Sequence, residues 1–261
     1  MFAFMDENIK PDQKSGHAEP DDKGPSGPNT SPTVRAETKI MVSPDRSGFI
    51  DKEIVSPQYY NSFNYSLLAD QGTGVHLTLG VTSANRGEGK TLTASNLAVS
   101  LTLGYRKRTV LVDLNFHQPR LHELFGAPGS PGLADALQGG LIHVSSTSIE
   151  NLYVLPAGLA DHDQAADGGV KRGGVTIGVE HTKAFGEVIH SLQQEYDFVI
   201  VDMPAINRRE FPILFVNHLE GVLIVVEARR TKRQDIERMF RHLNRNQVLG
   251  FVFNRVTDEE D

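Results

Sequence analysis

Short, unbroken apolar runs are the feature that most limits how this sequence can fold. "HLTLGVTSA" (76–84), "TVLVD" (109–113), "NLYVLPAG" (151–158), "YDFVIVDM" (196–203), "GVLIVVEA" (221–228) and "LGFVFNRV" (249–256) set apolar residues back to back. Strands of that kind are buried on both faces, as in parallel sheets, whereas half-exposed strands alternate. Between the runs the apolar period lengthens to that of a helix. Ala94, Leu97, Ala98 and Leu101 share one face of a helix over 89–103, and Phe185, Val188, Ile189 and Leu192 share one face of another. Ile236, Met239, Phe240 and Leu243 align in the same way after Thr231. "SPGLADALQGG" (130–140) predicts a short helix with Ser130 as its cap, Pro131 at its first position and glycine at its end. Strands alternating with helices predict an α/β fold, a mostly parallel sheet with helices on both faces.

That domain is expected over 51–257. Residues 1–50, with "KPDQKSGHAEPDDKGPSGPNTSPT", lack any apolar periodicity and predict a disordered N-terminal arm. "SPQYYNSFNYSLLADQ" (56–71) predicts a helix with Ser56 as N-cap and Pro57 at its first position. A Gly-rich loop is expected over 160–178, and 258–261 form an acidic tail. A net charge of −7 argues against a nucleic-acid binder, which is usually basic, so no nucleic acid is expected as a partner. The sequence has no cysteine, which excludes disulfides and thiolate metal sites and fits a reducing compartment. No apolar run approaches the roughly 20 residues of a membrane span. The first residues lack the basic start and apolar stretch of a signal peptide. A cytoplasmic location is therefore expected. The histidine pairs His117/His122 and His162/His181 lack the i, i+4 spacing of a helical metal site. "EARRTKRQDIER" (227–238) is a solvated helix start or a contact for phosphate, an acidic partner or DNA.

Chemistry is concentrated at three strand ends. "TSANRGEGKTLTASNLA" (82–98) joins a strand to a helix through a Gly-rich turn. Backbone N–H groups of such a turn, with the helix N-terminus, make a pocket for phosphate oxygens. Gly87, Glu88, Gly89 and, beyond the two key residues, Leu92 belong to that pocket, with Lys90 facing the β- and γ-phosphates and the Thr91 hydroxyl placed for Mg²⁺. The pattern G-x-x-x-x-G-K-[ST] is met except at its first position, which is Ala84. Asp113 and Asp202 end two further apolar strands at the same sheet edge. Each carboxylate can bind Mg²⁺ directly or through water, and Asp113 can accept the proton of an attacking hydroxyl. A lone Asp after a strand can equally be a turn or cap residue. Taken with the loop, the pair predicts a P-loop NTPase binding ATP and Mg²⁺, with Lys90, Asp113 and Asp202 as catalytic residues.

With these motifs in order, most of the folded domain resembles the bacterial tyrosine kinases of capsular and exopolysaccharide synthesis. The resemblance runs through "VLVDLNFHQPRLHELFGAPGSPGLADALQGG", "LYVLPAGL", "YDFVIVDMPA", "GVLIVVEARRTKR" and "LGFVFNRV". That family is a branch of the ATPases that also includes septum-positioning and partitioning proteins. The resemblance implies an ATP-binding regulator of polysaccharide assembly, recruited to the inner face of the membrane by the cytoplasmic segment of a co-polymerase, or chain-length determinant. It gives Lys90 the phosphates, Thr91, Asp113 and Asp202 the metal, and places Asn254 and Arg255 near the nucleotide base. The sequence departs from the family at four places. The family's Asp-x-Asp followed by arginine is here Asp113-Leu114-Asn115, then Phe116-His117, which implies reduced phosphoryl transfer. The sequence ends "NRVTDEED" without the family's tyrosine cluster. Gln58, Asn61 and Asn64 stand where the family's oligomerisation helix is charged, so self-association through a charged ring is not expected. The loop 160–178 is unlike the family's connection. Two other readings stay open: a partitioning-type ATPase, against which Asn85 stands in place of a signature lysine, and a nucleotide-bound scaffold of low turnover. Tyr59, Tyr60 and Tyr65 are candidate phosphoacceptors or packing residues.

Overall fold

In a computed structural model, residues 2–3, 40–43, 76–158, 179–207 and 213–256 are described. In chain order the elements are β1 (Phe2–Ala3), β2 (Ile40–Ser43), β3 (Leu77–Ser83), α1 (Lys90–Tyr105), β4 (Thr109–Asp113), α2 (Leu121–Phe125), α3 (Leu133–Leu137) and β5 (Ile142–Ser146). They continue with β6 (Leu152–Leu155), α4 (Thr182–Glu195), β7 (Phe198–Asp202), β8 (Gly221–Glu227), α5 (Arg233–Met239) and β9 (Val248–Asn254). The sheet order is β1-β9-β8-β3-β7-β4-β6-β5-β2. From β9 to β6 every neighbouring pair is parallel; β5 runs antiparallel to β6, and β1 antiparallel to β9. β2 runs parallel to β5. β1 and β2 fall within the N-terminal arm, so two short stretches of it pair with the sheet edges. The arm's other residues, the 56–71 helix with Tyr59, Tyr60 and Tyr65, the loop 160–178 and the acidic tail lie outside the described residues.

The back-to-back apolar strands are buried on both faces, as their pattern requires. Val110 and Val112 of β4, Val199 and Val201 of β7, and Val222 and Ile224 of β8 join one core with Phe185, Ile189 and Leu192 of α4 and Met239 of α5. Leu111, Ile200 and Leu223 on the opposite face of the same strands pack with Ala94, Leu97, Ala98 and Leu101 of α1. The four α4 residues that share a face in the sequence are its buried ones, whereas α1 buries its four together with Thr93, Ser95, Asn96, Val99, Ser100 and Thr102 on the other sides. Phe185 stacks on Phe215 with ring centroids 4.4 Å apart. β3 differs on its α4 side, where Thr78, Gly80 and Thr82 stand in place of aliphatic side chains. Gly80 leaves room for Met203 and Leu219, whose side chains a Cβ would meet. The Thr82 hydroxyl donates to Pro204 O, and Gln193 Nε2 donates to the Thr78 hydroxyl, so the polar face is satisfied.

One helix start differs from its sequence reading. α3 begins at Leu133, with Gly132 rather than Ser130 at its N-cap and Pro131 outside the helix. The reason lies in donors found elsewhere in the fold. Leu133 N–H and Ala134 N–H donate to Pro156 O and Ala157 O, and Gly132 N–H donates to the Asp135 carboxylate. The carbonyls beyond β6 and the side chain at N3 satisfy the first turn, so no serine is needed.

Candidate functional site: a phosphate-loop cleft

The loop after β3 reverses the chain into α1 through two glycines in the left-handed region, Gly87 at φ 81° and Gly89 at φ 96°. Gly89 is constrained twice, because a Cβ there would collide with Asn254 Nδ2. Asn254, the last residue of β9, donates that amide to Glu88 O at 2.9 Å and fixes the loop's crest. Lys90 and Thr91 then open α1. A cleft of about 790 Å³ lies over the loop, lined by Arg86, Gly87, Gly89, Lys90, Thr91 and Leu92. Asn254 and Arg255 line it from β9, and the chain from Asn115 to Arg120 with His122, Glu123 and Leu124 forms the facing wall. Glu88 alone among residues 86–92 is absent from the lining; its side chain is 3% exposed and engaged behind the loop.

Beneath the cleft lie the two carboxylates. Asp113 and Asp202 are register partners on neighbouring strands β4 and β7, and both are almost wholly buried, at 0% and 1% exposure. Asp202 Oδ2 accepts the Thr91 hydroxyl at 2.7 Å, while its Oδ1 is buried with no partner among the described residues. Asp113 is saturated instead. Its Oδ1 accepts Asn115 N–H at 3.0 Å, and its Oδ2 accepts Arg120 N–H and Leu121 N–H at 3.0 and 3.2 Å. These contacts are those of a turn and cap residue, and they hold the wall from 115 to the start of α2. Burial pushes Asp113 up to about 6, against the pull of the three backbone donors and Lys90. Burial, and then the Asp113 carboxylate, push Asp202 up to about 8.

A divalent cation fits this arrangement. The orphaned Asp202 Oδ1 supplies an oxygen, and Thr91 supplies a hydroxyl from the cleft floor. Mg²⁺ is commonly held by one or two carboxylates together with phosphates and water, not by an all-protein cage. No group of three or more acidic, His or Cys side chains able to hold a metal occurs among the described residues. The phosphate oxygens and water would complete the shell.

The facing wall carries the departures seen in the sequence. Asn115 donates its side-chain amide to Gln118 O at 3.0 Å, and Arg86 reaches across the cleft to the Gln118 side chain. His117 and His122 both line the cleft. Arg255 is held at the rim by Glu227 at 2.6 Å, and Arg230 meets the same carboxylate at 3.2 Å. The hydrogen bond from the Arg255 guanidinium is the main cause that holds Glu227 below the usual carboxylate range. Arg233 pairs with Glu237 and Arg238 with Asp235, so much of the 227–238 basic cluster is internally neutralised. Of the tyrosines, Tyr196 is buried, with a T-shaped contact to Tyr153 at 5.2 Å and Arg108 over its ring.

Sequence reading missed several parts of this site. Helix α2 was not separated from the strand-end motif, although Leu121 and Phe125 carry its buried side. The ties behind the loop, from Glu88 to Thr231 and from Asn85 to Asp235, were also missed. Their partners are more than 140 residues apart in sequence, at separations of 143 and 150, and no local pattern marks them.

No protein-family model matches the chain. It is 22% identical over 223 residues to the putative tyrosine-protein kinase CapB of Staphylococcus aureus, covering 78% of this chain and 92% of that protein. It is 27% identical over 187 residues to the tyrosine-protein kinase CpsD of Streptococcus agalactiae serotype Ia, covering 69% of this chain and 75% of that protein. Over most of its length the chain is thus similar to bacterial tyrosine-protein kinases. Among solved structures, the chimeric protein CapA2B2 superposes with a TM-score of 0.63 at 24% identity, over 80% of this chain and 92% of that one. The septum site-determining protein MinD of Pyrococcus horikoshii, complexed with Mg-ADP, superposes with a TM-score of 0.53 at 24% identity, over 71% of this chain and 73% of that one. Both share the mostly parallel sheet with helices. No described helix is long and apolar enough to cross a membrane.

Proposed function

We propose that this chain is an ATP-binding, tyrosine-kinase-like regulator of exopolysaccharide or capsule assembly, acting at the inner face of the membrane with a co-polymerase. The observation that carries the reading is the Thr91–Asp202 pair with its orphaned buried oxygen, directly under a loop that ends in Lys90. Lys90 supplies positive charge to the β- and γ-phosphates, and the loop N–H groups supply directional donors. Thr91 and Asp202 hold Mg²⁺, which when bound offsets charge on the transferring phosphoryl group. Asp113 braces the facing wall through three backbone bonds and adds negative potential beside Asp202. Asn254 holds the loop crest, and Arg255, anchored by Glu227, lies at the rim where a base would sit.

One observation favours a second reading within the same family, a nucleotide-loaded scaffold of low turnover. Asn115 presents an amide already bonded to Gln118 O, where a carboxylate could bind metal or take a proton from an acceptor hydroxyl. A partitioning-type ATPase draws less support. Asn85 takes the place of that group's signature lysine, and its amide is engaged by Glu88 and Asp235.

The test is incubation with Mg-ATP labelled on the γ-phosphate, with and without the cytoplasmic segment of a candidate co-polymerase. Label on tyrosine is the expected outcome for a kinase. Tight ATP binding with neither label nor released phosphate selects the scaffold, and absence of ATP binding overturns the nucleotide site.

A further inference from the structure

A carboxylate inside a phosphate-binding loop is at odds with the loop's ligand, and its contacts show how it is accommodated. Glu88 lies between Gly87 and Gly89, both of which line the cleft, yet its own side chain is 3% exposed and outside the lining. Its Oε2 accepts Asn85 N–H at 2.8 Å, and its Oε1 accepts Asn85 Nδ2 at 3.2 Å and the Thr231 hydroxyl at 2.7 Å. The short O–H···O⁻ bond to Thr231 is the strongest type in this set. It is also the one that leaves the loop, because Thr231 lies in the turn between β8 and α5.

Thr231 is itself fixed. Its oxygen accepts Glu227 N–H at 2.9 Å, and its N–H donates to Glu227 O at 3.0 Å. With its oxygen held by Glu227 N–H, the hydroxyl gives its one hydrogen to Glu88. A second strut runs parallel to the first, from Asn85 Nδ2 to Asp235 Oδ2 at 3.1 Å. The loop is therefore tied at its crest to the β8–α5 turn and at its start to the first turn of α5. Buried hydrogen bonds to a charged group are costly to break, since the carboxylate is left unpaired.

We propose that Glu88 and Thr231 form a positioning brace that sets the phosphate loop from the β8–α5 turn, so that Thr231 governs affinity for the β- and γ-phosphates without touching them. The brace rests on the nucleotide-site reading above. Without the Thr231 hydroxyl, Glu88 keeps only its bonds to Asn85, three residues earlier, and the crest at Gly87–Gly89 loses its external anchor on that side. The loss should fall on ligands that the crest N–H groups contact, and spare those that do not reach it.

The test is calorimetric titration of the full chain with ADP and with AMP, for the natural sequence, Thr231→Val, Thr231→Ser, Glu88→Gln and the remote hydroxyl control Ser191→Ala. Thr231→Val is expected to weaken ADP by roughly ten-fold and AMP by under about two-fold, the size of one lost charge-assisted bond. Thr231→Ser should restore ADP affinity, since it returns the hydroxyl, and Ser191→Ala should match the natural sequence. If Thr231→Val fails to fold, Glu88→Gln reads the same contact, and the same selective loss for ADP supports the brace. Unchanged ADP affinity, equal losses for ADP and AMP, or no rescue by serine would overturn it while leaving the nucleotide site standing. If the natural sequence binds neither nucleotide, the site reading fails and the brace fails with it.

Discussion

The ends of β4 and β7 offer a controlled contrast. Asp113 and Asp202 are the same residue type, at paired register positions, on adjacent parallel strands, with nearly equal burial. What differs is the chain that follows each. After β4 the backbone turns back over the carboxylate and delivers three N–H donors from Asn115, Arg120 and Leu121. After β7 the chain leaves through Met203 and Pro204, and no backbone donor among the described residues reaches Asp202. One oxygen is met by Thr91, and the other is left open. Identical strand-end aspartates thus divide into one that braces a wall and one that keeps an open oxygen, and the path of the following chain decides which is which.

Removing what the two share breaks the comparison at its root. Lys90 lowers the proton affinity of both carboxylates and faces the cleft. Lys90→Ala should reduce ATP affinity by about 100-fold or more, since a charge-assisted contact to phosphate disappears. Unchanged affinity by titration calorimetry would sink the site assignment.

The two aspartates should then separate in stability. Asp113→Asn replaces one acceptor oxygen with an N–H₂ group that faces a backbone donor, and should cost about 1–3 kcal/mol in denaturant unfolding. Asp202→Asn keeps one acceptor oxygen for the Thr91 hydroxyl and removes a buried titrating group, so it should be near neutral or stabilising without nucleotide. Equal costs for the two would erase the contrast.

pH sharpens it further. Burial and the Asp113 charge raise Asp202 to about 8 in the fold, and a group raised on folding favours the folded state while protonated. Its contribution is complete below its unfolded value and is lost as pH rises through about 8. Asp113 behaves alike in sign, with its contribution lost as pH rises through about 6. The Tm of the nucleotide-free protein should therefore fall between about pH 4 and 8, and less steeply in Asp202→Asn. An identical slope in that variant would contradict the open-oxygen account of Asp202.

The smallest effect concerns the wall that Asp113 braces. Asn115→Asp should raise ATPase or phosphoryl-transfer turnover by a few-fold at most, read as released phosphate. No gain would show that the amide at 115 does not limit activity.

How much of this was legible in the sequence follows from where the information lies. Buried parallel strands, amphipathic helices and the loop ahead of α1 are local patterns, so β3, β4, β7, β8 and β9 and the buried faces of α1 and α4 were readable. β5 was not, because His143, Ser145 and Ser146 leave the strand without an apolar run. Both roles of a strand-end aspartate were open from sequence, since a cap and a metal ligand use the same carboxylate. Only the path of residues 114–121 assigns Asp113 its donors. The Glu88–Thr231 tie spans 143 residues and depends on β8 lying beside β3, a neighbourhood set by sheet order rather than by chain order.

The most direct measurement is the Mg²⁺ dependence of ADP affinity in the natural sequence, Asp202→Asn and Asp113→Asn. The account predicts that Mg²⁺ tightens ADP binding in the natural sequence and in Asp113→Asn, and that the enhancement disappears in Asp202→Asn. Loss of the enhancement in Asp113→Asn with its survival in Asp202→Asn would contradict the division between brace and ligand.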